Sequence, residues 1–256
     1  MPEPFLSIVV PAHNEERRLP QTLEQVVAFV NRQSFTVEVL VVENASRDAT
    51  LQIAQDYAAR HPLVRVIHEP LPGKGRAVQK GMLAATGRYR FFADADFSMP
   101  VGEISRFIPP ALDVPVAIGS REAPGAVRYN EPRYRHITGR VFNTIIRLLV
   151  LHKLQDTQCG FKMFRADAAE DLFPRQRLMG WSFDVELLYI ANRRGYPIHE
   201  VPVPWYFNPE SKVNVLRDSW RMFTDLLAIR RNGWLGKYDE PRVENHRPWH
   251  RPPGQV

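Results

Sequence analysis

The stretch Tyr89-Arg90-Phe91-Phe92-Ala93-Asp94-Ala95-Asp96 decides how the rest of the chain is read. Its aromatic first half suits a buried strand, and the run halts at two carboxylates one residue apart, just before Met99-Pro100. An acidic pair at the carboxyl end of a strand has two readings. Both side chains can turn to one hard cation that takes oxygen ligands and shares its remaining positions with phosphates. Alternatively, the aspartates simply build a turn. The flanking sequence has to decide between them.

Toward the N-terminus, Leu6-Ser7-Ile8-Val9-Val10, closed by Pro11, predicts a first strand. Residues 16–31 follow as a helix with Leu19, Leu23, Val26, Val27 and Val30 on one face. Apolar runs at 37–42 and 64–67 predict two more strands, alternating with helices at 48–60 and 75–85. Residues 89–93 are then a fourth strand and 114–118 a fifth, ending in Gly119-Ser120-Arg121. This alternation predicts a layered α/β domain with a mostly parallel central sheet, which gathers its ligands at the carboxyl ends of the strands. Beyond Arg121, a polar stretch containing Pro124, Gly125 and Pro132 reads as a mobile loop. A long helical segment through Lys153, a short strand at 161–164, a helix at 184–193, an extended run at 201–207 and an amphipathic helix at 213–231 complete the pattern. Residues 239–256 carry prolines and charges without apolar periodicity and read as a disordered tail. The expectation is one domain over 1–238, with halves divided near 121/122, and no internal repeat.

Polar residues collect where the predicted strands end. Pro11-Ala12-His13-Asn14-Glu15-Glu16 and Glu43-Asn44-Ala45-Ser46-Arg47-Asp48 offer carboxylates and amides to a nucleobase and ribose, or cap the helices that follow. In Gly73-Lys74-Gly75-Arg76, two glycines permit close backbone approach and two cations sit at a helix N-terminus, without the spacing of a Walker loop. The plainer reading there is a glycine turn with solvated basic residues. Asp156-Thr157-Gln158-Cys159-Gly160-Phe161-Lys162 places Asp156 and Gln158 on a loop facing the same edge. Cys159 reads as a small buried residue, since no histidine with an orienting partner accompanies it.

Composition narrows the partners. The chain has 256 residues, one cysteine and a formal charge of +6, so it forms no internal disulfide, fits a reducing compartment and favours an anionic partner. Its basic residues are dispersed, and neither an aromatic RNA-binding motif nor zinc spacing is present, which argues against nucleic acid. The first residues lack the charged and apolar pattern of a secretion signal. The most apolar helical run, 141–151, is interrupted by Arg147 and falls short of the ~20 residues a membrane span needs. The expectation is a cytoplasmic protein, soluble or peripheral on the cytoplasmic face of a membrane.

In order along the chain, Ser7-Ile8-Val9-Val10-Pro11-Ala12-His13-Asn14-Glu15, Glu43-Asn44-Ala45-Ser46-Arg47-Asp48-Ala49-Thr50, Gly73-Lys74-Gly75, Asp94-Ala95-Asp96, Gly119-Ser120-Arg121, Asp156 to Lys162 and Phe183-Asp184-Val185-Glu186-Leu187 resemble glycosyltransferase family 2. The resemblance spans about 6–237 and is strongest to the polyprenyl-phosphate branch, on its dolichyl-phosphate glucosyltransferase side. It implies a GT-A fold, a UDP- or GDP-sugar donor, Mg2+ or Mn2+, and inverting transfer of a hexose, glucose or mannose, to a polyprenyl phosphate. Carried over residue by residue, it implies donor contacts at Pro11, Ala12, Asn14, Glu15, Glu43, Asn44, Ser46, Lys74, Asp94 and Ala95. The metal falls to Asp94 and Asp96, the acceptor phosphate to Arg121, Arg135 and Gln158, and the chemistry to Asp96, Arg121 and Asp156. One departure stands out: the family's second strand usually exits on Asp-Asp-Gly-Ser, whereas here it exits on Glu43-Asn44-Ala45-Ser46.

A phosphate monoester, with a second pKa of ~6, is already largely dianionic near neutrality and needs no strong base. A hydroxyl acceptor would need one, and Asp156 is the candidate. Asp184 and Glu186 either orient that site or brace their helix. The appended membrane helices of some relatives are missing, so a lipid acceptor would be met from the surface. Val213, Leu216, Trp220, Phe223 and Leu227, with Arg217, Arg221, Arg230 and Arg231 nearby, have the pattern of a basic interfacial helix, or of one that packs on the core or on a second subunit. Two enzyme alternatives remain. A family 2 enzyme with a soluble acceptor shares every donor motif, and a sugar-nucleotide pyrophosphorylase is disfavoured because 11–20 contains no glycine. Nothing in the sequence specifies an oligomeric state.

Overall fold

The strands at 6–12, 37–44 and 89–93 are apolar at mostly successive rather than alternate positions, which requires cover on both faces of the sheet. The computed structural model, which describes residues 3–208 and 215–239, supplies that cover; the side chains of 133–135, 137–138, 141–142 and 215–219 fall outside the description. Strands β1 (Leu6–Ala12), β2 (Val37–Asn44), β3 (Val64–Glu69) and β4 (Tyr89–Ala93) alternate with helices α1 (Leu19–Val30), α2 (Thr50–Arg60) and α3 (Lys74–Ala84). Successive residues of β1 serve opposite cores. Ile8 and Val10 join Leu23 and Val26 of α1 and Phe91 of β4, while Val9 joins Val78 and Met82 of α3 and Phe92 of β4.

The chain continues through β5 (Val116–Ser120), β6 (Val127–Tyr129), α4 (Arg133–Leu149), β7 (Phe161–Arg165), α5 (Ala166–Leu172), α6 (Phe183–Arg193), β8 (Ile198–Pro202), β9 (Pro204–Tyr206) and α7 (Val215–Trp234). The main sheet has the order β3-β2-β1-β4-β7-β5-β8. All of its pairings are parallel except those of β7, which runs antiparallel to both β4 and β5. The sheet is therefore mostly parallel, as the alternation predicts. The chain leaves β1 toward β2 on one side and returns through β4 on the other, so the exits of β1 and β4 flank the switch point where such sheets bind ligands.

Strand β7, from beyond 121/122, is inserted between β4 and β5. One expectation changes. The segment after Arg121 is not a free loop. Its β6 pairs in parallel with β9, Arg128 opposite Trp205, and the Tyr129 and Tyr206 rings stack with centroids 4.5 Å apart. The partner strand lies far along the chain, so no local pattern announces it. Helix α5 went unread because its seven residues are too few to show an apolar period. Of the expected tail, Asp239 is paired with Arg193, and residues 240–256 lie outside the described residues. Among the described residues, no helix is long and apolar enough to cross a membrane.

Candidate active site

The β1 and β2 exits are laced to one another, and of their polar residues Asp48 also holds its own helix, its Oδ1 accepting the Thr50 amide at 3.0 Å. Asn14 and Ala45 both take left-handed backbone, φ 53° and 51°. That conformation turns the two loops together: the Asn14 amide donates to Ser46 Oγ at 3.0 Å, and the Arg47 amide donates to Asn14 Oδ1 at 2.8 Å. The Glu15 amide donates to Thr50 Oγ1 at 2.7 Å. Neither helix receives a side-chain cap from Asn14 or Ser46. Glu43 is almost fully buried; burial alone would raise its pKa, but hydrogen bonds from Ser46 and His68 outweigh that and hold the carboxyl below its ordinary value. Asn44 reaches the next loop, where its Oδ1 accepts the Gly73 amide at 2.8 Å.

That bond sets the entry to α3. Gly73 has φ 145°, a conformation L side chains rarely adopt, and a Cβ there would lie 2.5 Å from the Met179 carbonyl oxygen. A Cβ on Gly75 would lie 2.6 Å from Phe183 Cβ. The close approach these glycines permit is thus to the segment leading into α6. It brings Lys74 to Asp94, with Nζ 2.7 Å from Oδ1 and 2.8 Å from Oδ2, and lays the Trp181 ring 5.0 Å from the ammonium. Burial disfavours the Lys74 charge, yet Asp94, Asp184 and Asp96 together raise its pKa. It is a fixed cation.

Asp94 and Asp96 leave β4 through a turn that the rest of the fold pins. Thr22 Oγ1 of α1 donates to the Ala95 carbonyl, and Phe97 takes φ 37°. Asp96 Oδ1 accepts the Ser98 amide at 3.1 Å. Desolvation of its carboxyl and the neighbouring Asp94 charge raise the Asp96 pKa. Beneath Asp94 sits Gly160, whose added Cβ would lie 2.0 Å from Asp94 Oδ2. Behind them, fully buried Lys162 of β7 donates to Asp184 Oδ1 of α6 at 2.8 Å and to the Cys159 carbonyl. Burial raises the Asp184 pKa in spite of that partner. Carboxylates and ammonium groups therefore alternate through one cluster drawn from α3, β4, β7 and α6.

A second cluster lies at the β5 exit. Asp156 Oδ2 accepts both the amide and Nε of Arg121, at 2.9 and 2.7 Å, and Oδ1 accepts Nη2 at 2.9 Å. Its own amide donates to Glu200 Oε1 at 3.0 Å. The Arg121 and Arg128 guanidinium groups both lie against the Trp205 ring, at 5.6 and 5.7 Å. Burial works against the Asp156 charge, but Arg121 wins and pulls the carboxyl down to about 2.

The model of glycosyl transferase family 2 matches residues 7–173. The chain belongs to that family. Among the relatives of this family 2 glycosyltransferase, a dolichyl-phosphate beta-glucosyltransferase of Drosophila melanogaster is 37% identical over 240 residues, covering 88% of this chain and 74% of the other. Its Homo sapiens counterpart is 33% identical over 245 residues, covering 90% and 76%. Among solved structures, glucosyl-3-phosphoglycerate synthase from Mycobacterium tuberculosis, in complex with Mn2+, UDP-glucose and phosphoglyceric acid, superposes with a TM-score of 0.62 at 17% identity, covering 94% of this chain and 82% of that one. That similarity establishes the GT-A fold.

The expected site residues of this family 2 enzyme divide by what the structure does with them. Lys74 joins Asp94, Arg121 joins Asp156, and Asn14, Glu43, Asn44 and Ser46 are bonded together at the β1 and β2 exits and to the Gly73 loop. Pro11 and Ala12 are the last residues of β1, and the side chains of buried Ala12 and Ala95 offer no polar group. Glu15 pairs with Arg18 at 2.7 Å. Gln158 donates its amide to Asp156 Oδ1 at 3.2 Å. Arg135 lies in the first turn of α4, and its side chain is outside the described residues. Glu186 braces the fold: it accepts the Arg177 and Leu178 amides and the Tyr238 hydroxyl. The roles of Lys162, Trp181, Trp205 and Glu200 were not foreseen. A lysine inside the apolar run 161–165 was the one available signal.

Proposed function

We propose that the chain transfers a hexose, glucose in the first instance, from a UDP- or GDP-sugar to a polyprenyl phosphate presented at a membrane surface. The observation that carries this reading is the identity, across about nine-tenths of the chain, to enzymes named dolichyl-phosphate beta-glucosyltransferase. The two clusters suit such a reaction. Asn14 and Ser46, partly exposed at the joined β1 and β2 exits, would meet a base and ribose over a floor braced by buried Glu43 and Asn44, with Lys74 fixed beside the place where a diphosphate would meet Asp94. Arg121, with Nη1 unpartnered among the described residues and its face on Trp205, is held ready for a second anion.

Asp94 and Asp96 fit Mg2+ or Mn2+. Asp94 Oδ1 is buried with the Lys74 ammonium as its near neighbour at 2.7 Å, and among the described residues no group of three or more ligating side chains exists, so a cation held by Asp94 and Asp96 would draw its other ligands from phosphate oxygens. When bound, the cation neutralises charge on the leaving nucleoside diphosphate. Asp156, clamped by Arg121 with its carboxyl near 2, is a weak proton acceptor and serves to orient the arginine. An acceptor that arrives ionised, as a prenyl phosphate does, matches a site without a strong base there. Exposed Trp220, Leu227 and Trp234 on α7 favour approach from a bilayer surface.

The test offers the full chain a panel of UDP- and GDP-sugars with a short polyprenyl phosphate and Mg2+ or Mn2+. Glucosyl-phosphoprenol is the expected product. Turnover only with water-soluble acceptors would overturn the acceptor assignment. Asp96→Ala should abolish metal-dependent turnover without changing the thermal midpoint, and retained activity would move the metal elsewhere.

A further inference from the structure

A cavity of about 450 Å³ opens between α6 and α7, away from both clusters. Tyr189 and Arg193 line it from α6, and Arg230, Arg231 and Trp234 from α7. The helices meet closely here because Gly233 has no side chain; a Cβ there would lie 2.2 Å from the Tyr189 hydroxyl oxygen. Arg193 is neutralised by Asp239, with Nε 2.5 Å from Oδ1. Arg230 and Arg231 have no carboxylate partner among the described residues, and those residues give the cavity lining a net positive charge.

The rest of α7 shows what brings an anion to it. At 3.6 residues per turn, Trp220, Leu227, Arg231 and Trp234 lie within about 60° of one another on the side of α7 away from buried Leu226 and Ile229, and exposed Arg230 borders that stripe on the Leu226 side. Trp220 is 71% exposed and Trp234 85%, and they stand about 21 Å apart along the helix. Two large indoles left in water on one stripe, interleaved with arginines, match the boundary between headgroups and acyl chains. Guanidinium groups pair with phosphate oxygens through two donors at once. We propose that this cavity is a second anion site, which takes the phosphate of an acidic phospholipid headgroup while Trp220, Leu227 and Trp234 enter the bilayer boundary. The proposal rests on the membrane-surface reading of the acceptor and adds a place and a lipid charge to it. Asp184 stands nine residues before Arg193 on α6, about 13 Å along its axis, so the cavity can be altered without touching the first cluster.

The experiment sediments the full chain with phosphatidylcholine vesicles, with and without phosphatidylglycerol. Binding should require phosphatidylglycerol, fall roughly thirtyfold in the Arg230→Gln/Arg231→Gln variant, and fall also in Trp234→Ala. Both variants should turn over a water-soluble short-chain prenyl phosphate at the unaltered rate, with an unaltered thermal midpoint. Equal binding of the double variant and the parent to phosphatidylglycerol vesicles would overturn the cavity and leave the membrane reading standing. No binding to any vesicle would overturn both. Competition by free glycerol phosphate without vesicle binding would make this a site for soluble anions. A concentration-dependent dimer lost in the double variant would put a second copy on the face instead.

Discussion

A single methyl group at position 160 tests how tightly the Asp94 carboxylate is placed. Gly160→Ala puts a Cβ 2.0 Å from Asp94 Oδ2, so either Asp94 or the β7 edge must move. A displacement of about 1 Å in such a site costs on the order of 100-fold in turnover. Steady-state kinetics should show that loss with the fold retained, and an unchanged kcat would mean Asp94 can be displaced without consequence. Asp156→Asn removes the counter-charge of a partly buried guanidinium, for which the expected cost is about 3–5 kcal/mol. Urea unfolding measures it; a smaller cost would show that water reaches Arg121. Asp94, Asp96 and Arg121 were legible in the sequence because they stand just past strand ends, where polar residues interrupt apolar runs, while Lys74 at the start of α3 and Asp156 in the loop before β7 were legible only as members of the segments 73–76 and 156–162. Lys162 was not, because strand alternation by itself assigns a polar residue between Phe161 and Met163 to solvent rather than to a buried partner 22 residues later. Trp205 was hidden in the same way, since its contacts with Arg121 and Arg128 depend on a ribbon whose two strands are distant in sequence.

At the scale of elements, α3 is seated on the sheet through the bare backbone of Gly81. A Cβ there would come within 2.4 Å of Val9 Cγ1 and 2.7 Å of Val42 Cγ2. Overpacking of this kind costs about 1–3 kcal/mol, so Gly81→Ala should lower the unfolding midpoint. Adding Val9→Ala should recover part of the loss, giving a double-mutant coupling of about 0.5–3 kcal/mol. Strict additivity would show that the helix shifts away instead. The parallel strands were readable because burial on both faces leaves continuous apolar runs. The antiparallel course of β7 was not, because the composition of Phe161–Arg165 carries no direction and its neighbours β4 and β5 precede it in the chain. The start of α1 at Leu19 rather than Glu16 has a related cause: the intervening residues are spent on contacts with the β2 exit.

For the whole molecule, the ionisable groups set the acid limit of stability. Asp171 is buried, which opposes its charge, but Arg194 and Arg175 hold its pKa below the ordinary value; Asp156, Glu38 and Glu43 are likewise lowered. Groups lowered on folding contribute stability that is complete above their unfolded values, about 3.9 for Asp and 4.3 for Glu, and is lost as pH falls through the folded ones. Asp184 and Glu186, raised by burial, act in the opposite sense, since protonation relieves the cost of their charge. The urea midpoint should therefore hold from neutrality to about pH 5 and decline below about pH 4. Asp171→Asn should lower the neutral midpoint and flatten that decline, and an unchanged slope would exclude the Arg194 pair as its source.

The insertion of β7 between β4 and β5 has a consequence for how this enzyme can be taken apart. A polypeptide cut at 121/122 would leave the first fragment with β5 detached from β4 and two unpaired edges in what should be the middle of its sheet. Neither fragment should fold until the other supplies or receives the missing strand. Recombining the donor side of one family member with the acceptor side of another at that boundary would ask β7 of one parent to fit between two strands of the other, so an exchangeable cassette must carry β4, β5 and β7 together.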